Sequence, residues 1–143
     1  MSGPGRARDN GAIMTGAVTV LIVDDQAPFR SAAKAVLRRT EGFELVGEAA
    51  GGAEAIELAG ELLPALVLMD INMPEMNGVE ATRRIIAAHP DTIVFLCSTY
   101  DVSDLPADAP TSGARAYVHK EHLSPDALRR LWEARDSSAF VAS

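Results

Sequence analysis

The run Leu66-Val67-Leu68-Met69-Asp70-Ile71-Asn72-Met73-Pro74-Glu75-Met76-Asn77-Gly78 constrains this chain more than any other stretch. Apolar residues over a strand's length stop at an acid, and Pro74, Asn77 and Gly78 then force a loop before helical periodicity resumes. The pattern predicts a buried strand with Asp70 at its carboxyl end. In an open α/β sheet, ligands bind in the crevice outside such strand ends, so an acid there is placed for chemistry rather than packing. Taken alone, Asp70 reads equally well as a helix cap or a solvated loop acid. The remaining segments decide between these readings.

Thr19 to Val23 is a β-branched and aliphatic run ending in Asp24-Asp25, a second buried strand that finishes in acids. From Gln26 the pattern turns helical, with Pro28 in the first turn and Phe29, Ala33, Val36 and Leu37 on one face. Glu41-Gly42 ends that helix, and 43–49 reads as a short strand. Gly51-Gly52 opens a second helix with Ile56, Ala59 and Leu63 as its apolar stripe, and Pro64 closes it. A third helix is expected from about Gly78 to His89, with Val79, Ile85 and Ile86 inward. His89 reads as structural, because a cation suits the last helical turn. Thr92 to Cys97 is a fourth strand reaching Ser98-Thr99, and Ala114 to Lys120 a fifth. Ser124 as N-cap and Pro125 at the first helical position start a last helix carrying Leu128, Leu131, Trp132 and Arg135, with Trp132 as its core anchor. The exception is Asp101 to Gly113. Pro106 and Pro110, among Asp104, Asp108 and Ser112, oppose the crossover helix that the alternation demands, and predict an irregular segment with at most a turn or two of helix.

Five strands alternating with crossovers predict an α/β fold, a doubly wound five-stranded parallel sheet with helices on both faces and a short or irregular fourth helix. The 143 residues suit one domain, large enough to bury roughly two thirds of its unfolded surface. Its expected extent is 17–136, between a flexible N-terminal tail, 1–16, and a C-terminal tail, 137–143. The one cysteine, Cys97, excludes an internal disulfide and lies in an apolar run, as a buried and inert thiol would. A net charge of −7 argues against binding nucleic acid through its phosphates. No apolar stretch approaches the roughly 20 residues of a membrane span and no secretory leader is legible, so a cytoplasmic protein without a membrane partner is expected.

If the first and third strands are neighbours, Asp24, Asp25 and Asp70 converge. Crowded carboxylates raise one another's pKa unless a cation neutralises them, and Mg²⁺ favours such oxygens while keeping positions for phosphate. The backbone carbonyl of Asn72 offers one more ligand. Ser98 and Lys120, ending the fourth and fifth strands, supply a hydroxyl and a point charge. Each is ordinary by itself; one polar group at each of four strand ends is not. An ionised Asp70 is already a nucleophile and can form an aspartyl phosphate, a transfer that needs positioning and charge neutralisation. Gly47 to Gly52 lacks the ending of a P-loop, so the phosphoryl donor must come from outside.

Four signatures, Leu21-Ile22-Val23-Asp24-Asp25, the Met69 to Gly78 loop, Ser98-Thr99 and Tyr117-Val118-His119-Lys120, together resemble the receiver domain of two-component response regulators over about 17–134. The resemblance implies the flavodoxin-like strand order 2-1-3-4-5. It implies Asp70 as phosphoacceptor, with Mg²⁺ held by Asp24, Asp25, Asp70 and the Asn72 carbonyl. Ser98 becomes the switch hydroxyl, Tyr117 the aromatic that repacks with it, and Lys120 the counter-charge. It also implies a signalling protein rather than an enzyme, capable only of self-catalysed phosphoryl transfer and slow autodephosphorylation. Its partners would be a sensor histidine kinase or phosphotransfer protein and a downstream protein target or output domain, with a homodimer among the assemblies allowed.

The local sequence looks most like receivers that carry a helix-turn-helix output, but the chain ends at Ser143 with no room for one. It is therefore expected to be a stand-alone receiver or a truncated one. Glu121 stands where many receivers have proline, and Asn72 and Tyr100 occupy the two positions thought to tune dephosphorylation. Asp101 to Gly113 replaces a helix often used for dimerisation and output, and is expected to be a flexible docking surface. Two other readings stay open. One is a phosphate-independent binding module; the other is a Mg²⁺-dependent phosphohydrolase of the haloacid-dehalogenase type, whose first-strand Asp-x-Asp pattern the adjacent Asp24-Asp25 does not match.

Overall fold

The computed structural model describes residues 16–137 and 140–142; the N-terminal tail expected over 1–16 lies, except for Gly16, outside them. The elements run β1 (Val18–Val23), α1 (Ala27–Arg38), β2 (Phe43–Ala49), α2 (Gly52–Leu62), β3 (Leu66–Asp70), α3 (Gly78–Ala88), β4 (Ile93–Ser98), β5 (Ala116–His119), α4 (Pro125–Glu133) and β6 (Val141–Ala142). The sheet order is β2-β1-β3-β4-β5-β6 and every pairing is parallel. The five expected strands thus stand in the order 2-1-3-4-5. The difference lies at the C-terminus. Part of the segment read as a tail adds a sixth strand, Val141 and Ala142 pairing with Ala116 and Tyr117.

The strands' two-residue period sorts the core into two layers. Leu21, Val23, Val67, Met69, Val94, Leu96 and Tyr117 face Ala55, Ala59, Val79 and Ile85 of α2 and α3. Val20, Ile22, Leu66, Leu68, Phe95, Cys97, Ala116 and Val118 face Ala33, Leu37, Leu128 and Leu131 of α1 and α4. All of β3 is buried. Each such aliphatic side chain contributes about 1.5–3 kcal/mol, enough to hold polar groups at the strand ends that would not bury themselves.

Most helix boundaries follow local chemistry. Pro28 lies in the first turn of α1, Asn77 Oδ1 accepts from the Glu80 N–H at 2.9 Å, and Ser124 Oγ accepts from the Ala127 N–H at 3.1 Å. Trp132 packs edge-on against Phe43 at 6.1 Å and is half-buried, an anchor of α4 as expected. Leu63 is a correction. Pro64 disfavours a right-handed helical residue before it, so α2 ends at Leu62; Leu63 caps it in the left-handed region at φ 47°, 63% exposed. Ala55, outside the expected stripe, is buried in the core instead of Leu63.

Residues 101–113 contain only the 3₁₀ turns Val102–Asp104 and Ala109–Thr111, the irregular segment expected. They divide into two unlike halves. The second is anchored on α3: Ala109 and Ser112 are buried, Ser112 Oγ donates to the Ala109 carbonyl at 2.7 Å, and Asp108 pairs with Arg83. Gly113, at φ +101°, sits where a Cβ would come within 2.8 Å of Ile86 Cδ1. The first half is held less: 101–104 are exposed, Val102 at 55%, and Leu105 alone of 101–105 packs half-buried on the core layer of α2 and α3.

Two predictions follow from these contacts. A Cβ on Gly78 would lie 1.9 Å from the Asp70 carbonyl oxygen, so Gly78→Ala should cost more than about 3 kcal/mol in urea denaturation, and a wild-type midpoint would mean the loop yields freely. In amide exchange, Ser112 and Ala114 should be protected well above Asp104 and Leu105; uniform protection across the segment would count against the division.

Candidate functional site

Asp24 and Asp70 are carried to the same end of the sheet because β1 and β3 pair in register, Val23 opposite Met69. Asp70 closes the buried β3 and is 3% exposed. The chain then turns back on itself. Glu75 takes φ 72°, the Met76 N–H donates to the Pro74 carbonyl at 2.8 Å, and the Gly78 N–H donates to the Ile71 carbonyl at 2.8 Å.

Asp24 is fully buried. Its Oδ1 accepts from the Gln26 N–H at 2.8 Å, and its carbonyl accepts from Arg30 Nη1 at 2.6 Å. Arg30 is held in turn by Glu48, Nε to Oε1 at 3.1 Å, with Lys34 on the other Glu48 oxygen at 2.9 Å. Lys34 and Arg30 keep the Glu48 carboxyl below the usual carboxylate range although burial opposes them. No spacing rule in the sequence announces this contact of Arg30 to a backbone carbonyl.

Asp24, Asp25 and Asp70 each offer an oxygen to a cluster whose members lie within 4.8 Å of one another, with Asp25 exposed. Lys120, just past β5, answers them: Nζ lies 2.6 Å from Asp24 Oδ2 and 3.2 Å from Asp70 Oδ1. This ammonium is the one described partner of the buried Asp24 Oδ2. Burial first, and then the Asp24 charge, push the Asp70 carboxyl up to about 6, against the pull of Lys120. Burial works against the Lys120 charge, but Asp24 and Asp70 outweigh it and raise that pKa. Three carboxylate oxygens within 4.8 Å, two of the acids buried and one ammonium among them, are the environment a hard divalent cation satisfies, so the residues fit Mg²⁺.

Gln26, Asp70, Asn72, Ser98, Thr99 and Lys120 line a cavity of about 130 Å³ over this cluster. Gln26 is a lining residue that sequence reasoning did not single out. A larger cavity, about 510 Å³, lies at the opposite end of β3 and β4 between Pro64 and His89, remote from the carboxylates; size does not identify the chemical site here. Ser98 is buried, and its Oγ accepts from the Tyr100 N–H at 2.8 Å. The Tyr117 ring is fully buried and its hydroxyl reaches the carbonyls of Ser98, at 3.0 Å, and Tyr100. The exposed Asn72 uses its side-chain amide to donate to the Tyr100 hydroxyl. Every sequence-derived site residue therefore gathers at one end of the sheet. Cys97 lies beneath them, and burial pushes its thiol up to about 12, as an inert core residue requires.

Residues 20–132 match the family described as the response regulator receiver domain. The transcriptional regulatory protein DegU of Brevibacillus brevis is 39% identical over 111 residues, covering 78% of this chain and 47% of the relative, so the chain spans less than half of DegU. The chemotaxis protein CheY of Thermotoga maritima is 40% identical over 101 residues, covering 71% of this chain and 83% of that protein. Among solved structures, a LuxR-family two-component response regulator from Aurantimonas sp. SI85-9A1 aligns with a TM-score of 0.77 at 29% identity, over 87% of this chain and 89% of the other. The CheX-CheY-BeF₃-Mg²⁺ complex from Borrelia burgdorferi aligns at 0.72 and 25% identity, over 81% and 87%. With the acidic cluster, the ammonium and the parallel sheet order already in hand, these matches assign the chain to the response regulator receiver domain family, whose business is two-component signalling.

Proposed function

We propose that this chain accepts a phosphoryl group on Asp70 and thereby switches a protein-interaction surface. The observation that carries the reading is the placement of Asp70 Oδ1, 3.2 Å from Lys120 Nζ and beside Asp24 and Asp25, at the floor of an open cavity. An Asp70 oxygen attacks phosphorus, and the bond from phosphorus to the leaving group breaks, its electron pair departing with the donor. The donor is a sensor histidine kinase or phosphotransfer protein, or a small acyl phosphate. Lys120 offsets the charge that the phosphoryl oxygens bring. Asp24, Asp25, Asp70 and the Asn72 carbonyl would hold Mg²⁺, which supplies charge neutralisation when bound.

Ser98 and Tyr117 are the response elements. Ser98 Oγ, engaged with the Tyr100 N–H, lines the same cavity and can turn to a phosphoryl oxygen. That turn would loosen the Ser98 to Tyr100 segment, which the Tyr117 hydroxyl grips through two carbonyls. The exposed residues from Tyr100 to Asp104 follow directly, so a downstream target or output domain would read the change there.

Intact-mass spectrometry after incubation with acetyl phosphate tests the reading. Wild type should gain one phosphoryl group only with Mg²⁺ present, and Asp70→Asn should gain none; retention of the label in Asp70→Asn would move the acceptor elsewhere. Charge crowding gives a second expectation. The Asp70 carboxyl is raised from 3.8 to about 6 in the folded state, so stability falls as pH rises through that window, and the charged carboxylate remains a penalty above it. Without divalent cations at pH 7.5, Asp70→Asn should therefore be more stable than wild type by roughly 1–3 kcal/mol in urea denaturation. The difference should vanish below about pH 3, where Asp70 is neutral in both states, and shrink when Mg²⁺ is added.

A further inference from the structure

We infer that Phe29 is a positioning residue for Lys120, holding its ammonium toward Asp70 across an aromatic face. This rests on the reading of Asp70 as phosphoacceptor and adds a residue to that site which the charge pattern does not reveal. Lys120 Nζ lies 4.6 Å from the centroid of the Phe29 ring, while Asp24 Oδ2 and Asp70 Oδ1 meet it at 2.6 and 3.2 Å. The ammonium thus has two carboxylates and one π face around it, and the lysine side chain is only 12% exposed. An ammonium over a phenyl ring is drawn to the negative face of the ring quadrupole, most strongly where water is thin.

The ring is itself held firmly. Phe29 lies in the first turn of α1 with its N–H donating to the Gln26 carbonyl at 3.1 Å, and it packs half-buried on the core layer of Ala33, Leu37 and Val118. The next residue, Arg30, ties the same turn to the Asp24 carbonyl at 2.6 Å. One turn of helix therefore fixes both the backbone of the acidic cluster and the wall behind its only described cationic partner. Lysine carries a flexible four-carbon stem and a strongly hydrated head, so a site that needs it in one place must supply that order. An aliphatic side chain fills the space but offers no face to the charge.

The contrast between aromatic and aliphatic replacements is the test. With acetyl phosphate and saturating Mg²⁺, Phe29→Leu should be phosphorylated about five- to thirtyfold more slowly than wild type, whereas Phe29→Tyr keeps the ring and should stay within about twofold. Mg²⁺ affinity and the urea midpoint of Phe29→Leu should change little, which separates positioning from simple packing. The contact is also visible without chemistry. Lys34 and Lys120 are the only lysines, so NMR of the lysine ε-methylene groups gives one signal for the site and one reference. The Lys120 protons should be shifted upfield by the ring in wild type and Phe29→Tyr, and should lose that shift in Phe29→Leu.

A wild-type phosphorylation rate in Phe29→Leu, equal losses in the Leu and Tyr variants, or no upfield shift in wild type would each overturn the inference. If wild type takes no phosphoryl group at all, the Asp70 reading fails and the rate argument fails with it. The lysine signal then says independently whether Phe29 holds the ammonium.

Discussion

Three carboxylates meet at the carboxyl end of this sheet with one ammonium to answer them, and the surrounding structure is organised to tolerate that imbalance. Asp24 and Asp70 are both buried, and Lys120 touches both. Bringing ions out of water costs several kcal/mol each even after relaxation, so the acids cannot hold themselves there. The apolar strands behind them do, through the paired residues Val23 and Met69 and the wholly buried β3. The loop after Asp70 has no slack, because the Gly78 Cα lies where any side chain would strike the Asp70 carbonyl. Arg30 holds the Asp24 backbone from the other side.

The two-residue period of parallel strands divides the labour of the site. Asp24, Asp70 and Lys120 continue the alternation of Ile22, Leu68 and Val118, which face α1 and α4. Tyr117 instead belongs to the layer against α2 and α3, where Ala109 of the irregular segment also packs. Tyr117 and Lys120 thus leave β5 and the turn after it on different sides, one toward α3 and the irregular segment and one toward the charge cluster. A disturbance at Lys120 or Ser98 has only a few bonds to travel before it reaches the Tyr117 hydroxyl and the backbone of Tyr100. β6, hydrogen-bonded along Ala116 and Tyr117, covers the outer edge of that same strand.

The family supports this arrangement from outside the chain, and the local chemistry supports it from within. The crossover between β4 and β5 departs from a regular helix because Pro106 and Pro110 deny it backbone donors and room. Its second half compensates by pinning Asp108 to Arg83 and burying Ala109 and Ser112, so irregular backbone is not the same as loose backbone. The exposed half begins beside the cavity at Tyr100, whose hydroxyl accepts from the Asn72 amide.

Much was legible in the residues alone, because strands, caps and loops are local. The apolar runs that end in Asp24-Asp25, Asp70, Ser98 and just before Lys120 declared both the strands and their polar ends, while Pro28, Asn77, Ser124 and Pro125 declared helix starts. Leu63 misled, since its apolar period put it in the stripe although the proline after it disfavours the right-handed helical region there. Val141 and Ala142 carried no strand signal, because two residues show no period and pair only when an edge is already there. Arg30 on a carbonyl and Phe29 behind an ammonium were invisible for the same reason. The sequence by itself determined which residue types stand at which strand ends. Only the tertiary structure decided their distances, their burial and hence their charge states, because those depend on strand register and helix packing between residues far apart in the chain.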